Sequence, residues 1–183
     1  MTRSICQRLH AQFKKVIKDN NEYYTCCMDT ENIQTWYVLI TNLPDPYTDG
    51  EYIFKLTIPN EFPDNPPSFS ALTPNGVMEM GGKICVSVGE FHRNDHHKSN
   101  SKGDYGWIPS LGISGFVLQG IINAMLSFDT KDHGVRLSNM TDEQKRRLGK
   151  LSKEYNLEHN KNIMDLFQIH KECFPDLKCF THP

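Results

Sequence analysis

The sequence predicts an α+β fold: an N-terminal helix, a four-stranded antiparallel meander, a central buried helix and C-terminal helices. Three observations carry this. Apolar residues recur at helical spacing near the start and alternate at a period of two in short runs between residues 22 and 72. They return to helical spacing from Ile113 onward. At 183 residues the chain suits one domain with its own core and an appended helical segment. Its 20 basic and 22 acidic residues leave a net charge of −2. That balance argues against a general nucleic-acid or membrane-surface binder.

Residues 4–19 place Ile5, Leu9, Phe13, Val16 and Ile17 on one helical face, with Arg8, Lys14, Lys15 and Lys18 around the rest. Asp19-Asn20-Asn21 ends the helix. Strands are expected over 22–28, 33–43, 51–58 and 68–72. Trp36, Val38 and Ile40 share one face, as do Tyr52, Phe54, Leu56 and Ile58. Turn-rich connections favour antiparallel neighbours. The four prolines of 59–67 exclude a central strand there. Ile113, Phe116, Val117, Gly120, Ile121 and Ala124 follow a 3.6-residue period, and further apolar residues on the other faces make this a core helix. A loop over 127–139 contains Asp129 and Asp132, and Thr141-Asp142-Glu143-Gln144 matches a capping box opening a helix to about residue 155. A last amphipathic segment carries Ile163, Leu166, Phe167 and His170 before Pro175.

Cysteines stand at 6, 26, 27, 85, 173 and 179, with no CxxC pair. The adjacent Cys26 and Cys27 would face opposite sides of a strand. With no apolar leader and no run of 18 apolar residues, free thiols in a reducing interior are expected. No membrane span is predicted.

The chain is arranged around residues 72–88, LTPNGVMEMGGKICVSV. Pro74-Asn75-Gly76 is strong turn chemistry, since proline sets φ while Asn and Gly accept left-handed geometry. Cys85 stands further on, between Ile84 and Val86. Across proteins, such a cysteine is more often a small buried hydrophobe.

The order of elements, with the block WYVLITNLPDPYTDGEYIFKLTIPNEFPDNPPSF (36–69), TPN (73–75), KIC (83–85) and WIPSLGI (107–113), resembles the ubiquitin-conjugating enzyme family over about residues 4–155. Within it, TPNG, the ten-residue step from Asn75 to Cys85 and TDEQKRRL (141–148) are most similar to the divergent branch anchored in the endoplasmic reticulum by a C-terminal tail. No tail anchor is expected from the residues read, so the expectation is a soluble protein, cytoplasmic and with the nucleus also open to it.

The resemblance implies a UBC-type fold, with residues 1–155 as the core domain and 156–183 as a helical extension. It also implies a function without a cofactor in an ATP-dependent pathway. Cys85 would accept ubiquitin from an activating enzyme as a thioester and pass it to a substrate amine or to a ligase. Covalent catalysis on sulfur divides one difficult acyl transfer into two easier ones. Asn75 would support the active-site loop and stabilise the oxyanion, a donor role worth roughly 3–4 kcal/mol. Its commoner job is to satisfy a turn, and both can hold. Asp129 or Asp132 would assist the incoming lysine. Lys14 and Lys15 are the candidates for binding the activating enzyme. Phe62, Pro63, Asp64, Trp107, Pro109 and Ser110 fall where ligases bind.

Three departures stand out. Thr73 replaces the usual His, Asp64 replaces an apolar residue, and the 22-residue step from Cys85 to Trp107 implies an insertion beside the active site. That insertion holds His92, His96 and His97, which lack a fourth zinc ligand at standard spacing. A thiol redox protein would need a resolving cysteine near Cys85. The alternative from another class is a non-catalytic ubiquitin-binding variant acting as a scaffold, although such variants usually lack the cysteine.

Overall fold

A computed structural model describes residues 4–84, 88, 106–127 and 140–180. Helix α1 (Ile5–Asp19) opens on a capping box. Ser4 Oγ accepts the Gln7 amide, and Gln7 Oε1 accepts the Ser4 amide. The helix closes on Asn20 in the left-handed region at φ 44°, its N–H returning to the Val16 carbonyl.

Strands β1 (Tyr24–Met28), β2 (Thr35–Ile40), β3 (Tyr52–Thr57) and β4 (Ser68–Ala71) form one sheet in sequence order, every neighbour antiparallel. Each is trimmed at one or both ends relative to the sequence reading. Isolated ladder bonds nonetheless continue past the trimmed ends, as from Thr41 N to Tyr23 O and from Ile58 N to Gln34 O. The register sets Trp36 opposite Leu56, Val38 opposite Phe54 and Ile40 opposite Tyr52. These alternate residues line the inner face with Cys26, Phe69 and Ala71. Cys27, Leu39 and Ile53 belong to a separate apolar cluster on the outer face, as a period of two requires.

The inner face is covered by Leu9 and Val16 of α1 and by the central helix Pro109–Ser127. That helix begins as a 3₁₀ turn (Pro109–Leu111) and continues as α2 (Gly112–Phe116), a π-turn (Val117–Ile122) and α3 (Asn123–Ser127). The π-turn departs from the uniform 3.6 period expected from sequence; the amide of Asn123 reaches back five residues to Leu118. By length and composition this helix could cross a membrane, but half of its most apolar stretch is buried inside the protein. Phe116 packs edge-on against both Phe69 and Trp107.

Helix α4 (Asp142–His159) starts on the capping box read from sequence, with Thr141 Oγ1 and Gln144 Oε1 exchanging bonds with each other's amides. It continues past residue 155, so the expected domain boundary falls inside a helix. Helix α5 (Lys161–Cys173) then crosses the outer face of the sheet, where Phe167 packs with Cys27, Leu39 and Ile53. His170 meets Thr25 across the same interface, Nε2 lying 2.9 Å from the hydroxyl oxygen. The extension closes the sheet's second face.

Candidate active site

The passage from β4 toward Cys85 is built by turn chemistry and tied down from three sides. Asn75 is fully buried. Its Oδ1 accepts the amides of Val77 at 3.0 Å and Met78 at 2.8 Å, and its Nδ2 donates to the Thr73 carbonyl at 3.1 Å. This is the self-bonded turn that Asn supports, with both ends of the carboxamide in use. Gly76 sits at φ +81°, and a Cβ there would meet Lys145 Cγ at 2.8 Å, so the turn and α4 approach as closely as glycine allows. The Gly76 carbonyl also accepts the Met140 amide just ahead of α4.

Beyond the turn, Val77 and Met78 are buried while Glu79, Met80 and Gly81 are exposed. The edge of β4 then anchors the chain twice, the Ala71 carbonyl accepting the Gly81 amide and the Phe69 carbonyl accepting the Ile84 amide at 3.1 Å. Ile84 and Val88 both enter the main core. The chain is thus held on either side of residues 85–87. Cys85, Asp129 and Asp132 lie outside the described residues, as do His92, His96 and His97. Among the described residues, no group of three or more His, Cys, Asp or Glu side chains could hold a metal ion.

Cys26, Cys27 and Cys179 are buried free thiols. Burial pushes Cys27 up to about 12, Cys179 up to about 11, and Cys26 well above the ordinary thiol range. Thiols held protonated in this way are poor nucleophiles.

The expected partner residues divide by exposure. Lys14, Lys15, Asp64, Pro109 and Ser110 are exposed, and Pro63 is half-buried. Phe62 and Trp107 are different: they are 1% and 4% exposed, their ring centroids 6.1 Å apart. Trp107 Nε1 donates to the Pro63 carbonyl at 2.8 Å. These two rings join the Pro-rich loop to the start of the central helix and offer a partner almost no side-chain surface. Ile108, at 46% exposure, stands beside Pro109 and Ser110 instead.

Sequence reasoning missed a buried polar cluster beneath the turn. Thr73 Oγ1 accepts the Ile53 amide at 2.9 Å and donates to Asn156 Oδ1 at 2.6 Å. Asn156 Nδ2 donates to the Glu51 carbonyl at 2.7 Å, and Asn160 Nδ2 bonds both Leu72 O and Asn156 Oδ1. Ser152 Oγ accepts the Glu51 amide. The available signal was Ser152, Asn156 and Asn160 at four-residue steps along one helical face.

The family profile described as ubiquitin-conjugating enzyme matches residues 8–158. The chain is 30% identical over 174 residues to "Ubiquitin-conjugating enzyme E2 6" of Kluyveromyces lactis, covering 94% of this chain and 60% of that protein. To the protein of the same name from Eremothecium gossypii it is 29% identical over 168 residues, 91% of this chain and 63% of that one. To human "Ubiquitin-conjugating enzyme E2 J2" it is 29% identical over 163 residues, 88% of this chain and 56% of that one. The chain therefore spans less than two thirds of the length of these curated relatives. Among solved structures, human ubiquitin-conjugating enzyme E2 G1 is similar at a TM-score of 0.51 and 22% identity, covering 67% of this chain and 94% of that one. A Plasmodium yoelii protein described provisionally as a ubiquitin conjugating enzyme gives 0.55 and 22%, covering 92% and 96%. At that identity the structures speak to fold alone, and they agree with the helix-flanked four-stranded sheet. The match over residues 8–158 decides the rest: this chain belongs to the ubiquitin-conjugating enzyme family.

Proposed function

We propose that this chain carries ubiquitin as a thioester on Cys85 and transfers it onward. The observation that supports this most directly is the Asn75 turn, buried and bonded at both its Oδ1 and its Nδ2, with the chain pinned at Ile84 just before Cys85. In the first step the Cys85 thiolate attacks the thioester carbonyl joining ubiquitin's C-terminus to an activating enzyme. A new C–S bond forms and the activating enzyme's thiolate leaves. In the second, an amine of a protein substrate or the thiol of a ligase attacks, and the Cys85 thiolate leaves. The amine's proton must go to a base, the part for which Asp129 and Asp132 are proposed. A second N–H of Asn75 Nδ2 is the proposed donor to the oxyanion of the tetrahedral intermediate.

On this reading the partners are ubiquitin, the activating enzyme, a ligase and a protein substrate. The activating enzyme would be met through exposed Lys14 and Lys15, and the ligase along Pro63, Asp64, Ile108, Pro109 and Ser110. Buried unpaired thiols suit a reducing compartment such as the cytoplasm. Residues 1–155 would form the conjugating core and 156–183 its brace across the sheet.

The deciding experiment incubates the protein with ubiquitin, activating enzyme and ATP, and resolves the products on non-reducing gels. A thiol-sensitive adduct that disappears in Cys85→Ala is expected, and Cys85→Ser should give a thiol-resistant ester. No adduct under conditions that charge a control enzyme rejects the proposal and leaves the scaffold reading.

A further inference from the structure

The polar cluster under the Asn75 turn has a directional consequence. Asn75 Nδ2 is aimed by the Thr73 carbonyl at 3.1 Å. Thr73 is in turn held at its hydroxyl from two sides, by the Ile53 amide of β3 and by Asn156 Oδ1 of α4. Thr73, Asn75 and Asn156 are all fully buried, so water cannot substitute for a lost partner. A buried carboxamide with donor and acceptor ends can flip unless each end is assigned a partner. Here the Val77 and Met78 amides claim the oxygen and the Thr73 carbonyl claims the nitrogen. The orientation of Asn75 therefore depends on where Thr73 sits.

Thr73 is located by α4. Asn156 accepts its hydroxyl hydrogen and holds the Glu51 carbonyl at the head of β3, while Asn160 holds Leu72. The last turn of α4 thus grips the residue before the turn and the strand beside it. A shared network of this kind moves as a unit when one member is removed.

We propose that Asn156 is a positioning residue for the transfer step: acting through Thr73, it holds the Asn75 carboxamide with its nitrogen directed for donation to the oxyanion. This rests on the thioester reading of Cys85. Preorganised donors contribute through their alignment before reaction, so slackening one costs part of what deleting it costs.

The test is single-turnover discharge. The full chain is loaded with ubiquitin, the activating enzyme is stopped by chelating its magnesium, and free lysine is added. Asn156→Ala is expected to discharge about tenfold more slowly, a fraction of the effect of losing the donor, with the half-saturating lysine concentration unchanged. In an Asn75→Ala background the same substitution should change the rate by less than about twofold, since neighbours acting through one group are not additive. Thr73→Val, which keeps the side chain's volume, should behave as Asn156→Ala does, and Thr73→Ser should restore discharge. Thr73→Val carries the same test if Asn156→Ala fails to fold.

Discharge at the wild-type rate in Asn156→Ala overturns the inference. Equal slowing in both backgrounds does so as well, because it marks general loosening. A wild-type chain that accepts no ubiquitin overturns the functional reading, and this inference with it.

Discussion

Thr73 Oγ1 donates to Asn156 Oδ1 at 2.6 Å across 83 residues of sequence, with neither side chain open to solvent. The hydroxyl also satisfies the Ile53 amide. Thr73→Val would leave that N–H without a partner in a place water does not reach, and would reduce the Asn156 oxygen to the one bond it accepts from Asn160 Nδ2. One orphaned group costs about 1–3 kcal/mol, so a loss of about 2 kcal/mol in urea unfolding is expected. Thr73→Ser keeps the hydroxyl and should lose no more than about 1 kcal/mol, mainly for one missing methyl. Equal stability of the Val and Ser variants would show that the two bonds contribute nothing net.

A second prediction concerns Gly50, where the β2–β3 connection turns beneath α4. A Cβ at Gly50 would fall against Tyr52 Cε2, inside a ring that is itself fully buried. Gly50→Ala should therefore cost about 3 kcal/mol through displacement of that ring. Gly81→Ala is the contrasting case: φ is +79°, yet nothing lies within 4 Å of the added carbon. Only the left-handed backbone is then at stake, about 1 kcal/mol. Denaturation midpoints of the two variants separate close approach from backbone strain, and a milder effect at Gly50 than at Gly81 would contradict the packing described.

Local periodicity explains what could be read in advance. Alternation along β2 and β3 identified the inner face because each residue's direction is set by its neighbours, and the same rule parted Cys26 from Cys27. Thr141 and Gln144 announced the start of α4 for an equally local reason. The destination of α5 had no such signal. Ile163, Phe167 and His170 define a face without naming the surface it meets, and only tertiary structure shows Phe167 on the outer sheet. Phe62 and Trp107 matched motif positions associated with partners, yet aromatic size and mutual packing drew both rings into the core. The pairing of Thr73 with Asn156 has no period at all. Polar side chains far apart in sequence meet wherever helix and strand happen to be brought together. The turn at Asn75 was legible as a turn, but its support was not.

Helix α5 should respond to acid through His170. This side chain is 5% exposed and lies among the rings of Phe13, Phe174 and Phe180. Burial lowers its pKa from 6.5 to about 4. Above pH 6.5 the imidazole is neutral in folded and unfolded chains alike, and the group leaves stability unchanged. Between pH 6.5 and about 4 the unfolded chain binds a proton that the folded one declines, so stability falls as pH falls. Below about 4 both states are protonated and the decline stops. The difference between wild type and His170→Gln, measured by urea unfolding from pH 8 to 3.5, should trace this curve. A difference that does not change with pH would show that His170 titrates alike in both states.

The basic face of α1 offers the last test, one of partner choice. Leu9 and Val16 turn toward the core while Lys14 and Lys15 are exposed, so charge can be reversed there without touching packing. Lys14→Glu combined with Lys15→Glu should leave stability within about 0.5 kcal/mol per substitution of wild type. If these lysines meet an acidic surface of the activating enzyme, the reversal slows encounter more than it alters chemistry, because exposed charges act chiefly on association rates. Loading at limiting activating enzyme should then slow about tenfold at low salt, a size typical of electrostatic steering. Salt screens exposed charges over about 10 Å at 0.1 M, so the gap between variant and wild type should narrow as salt is raised. Discharge of the preloaded thioester to free lysine, which needs no activating enzyme, should be unaffected. A variant that loads normally at low salt would remove α1 from the docking surface, and one that loads slowly at every salt concentration would point to a shape defect in place of lost steering.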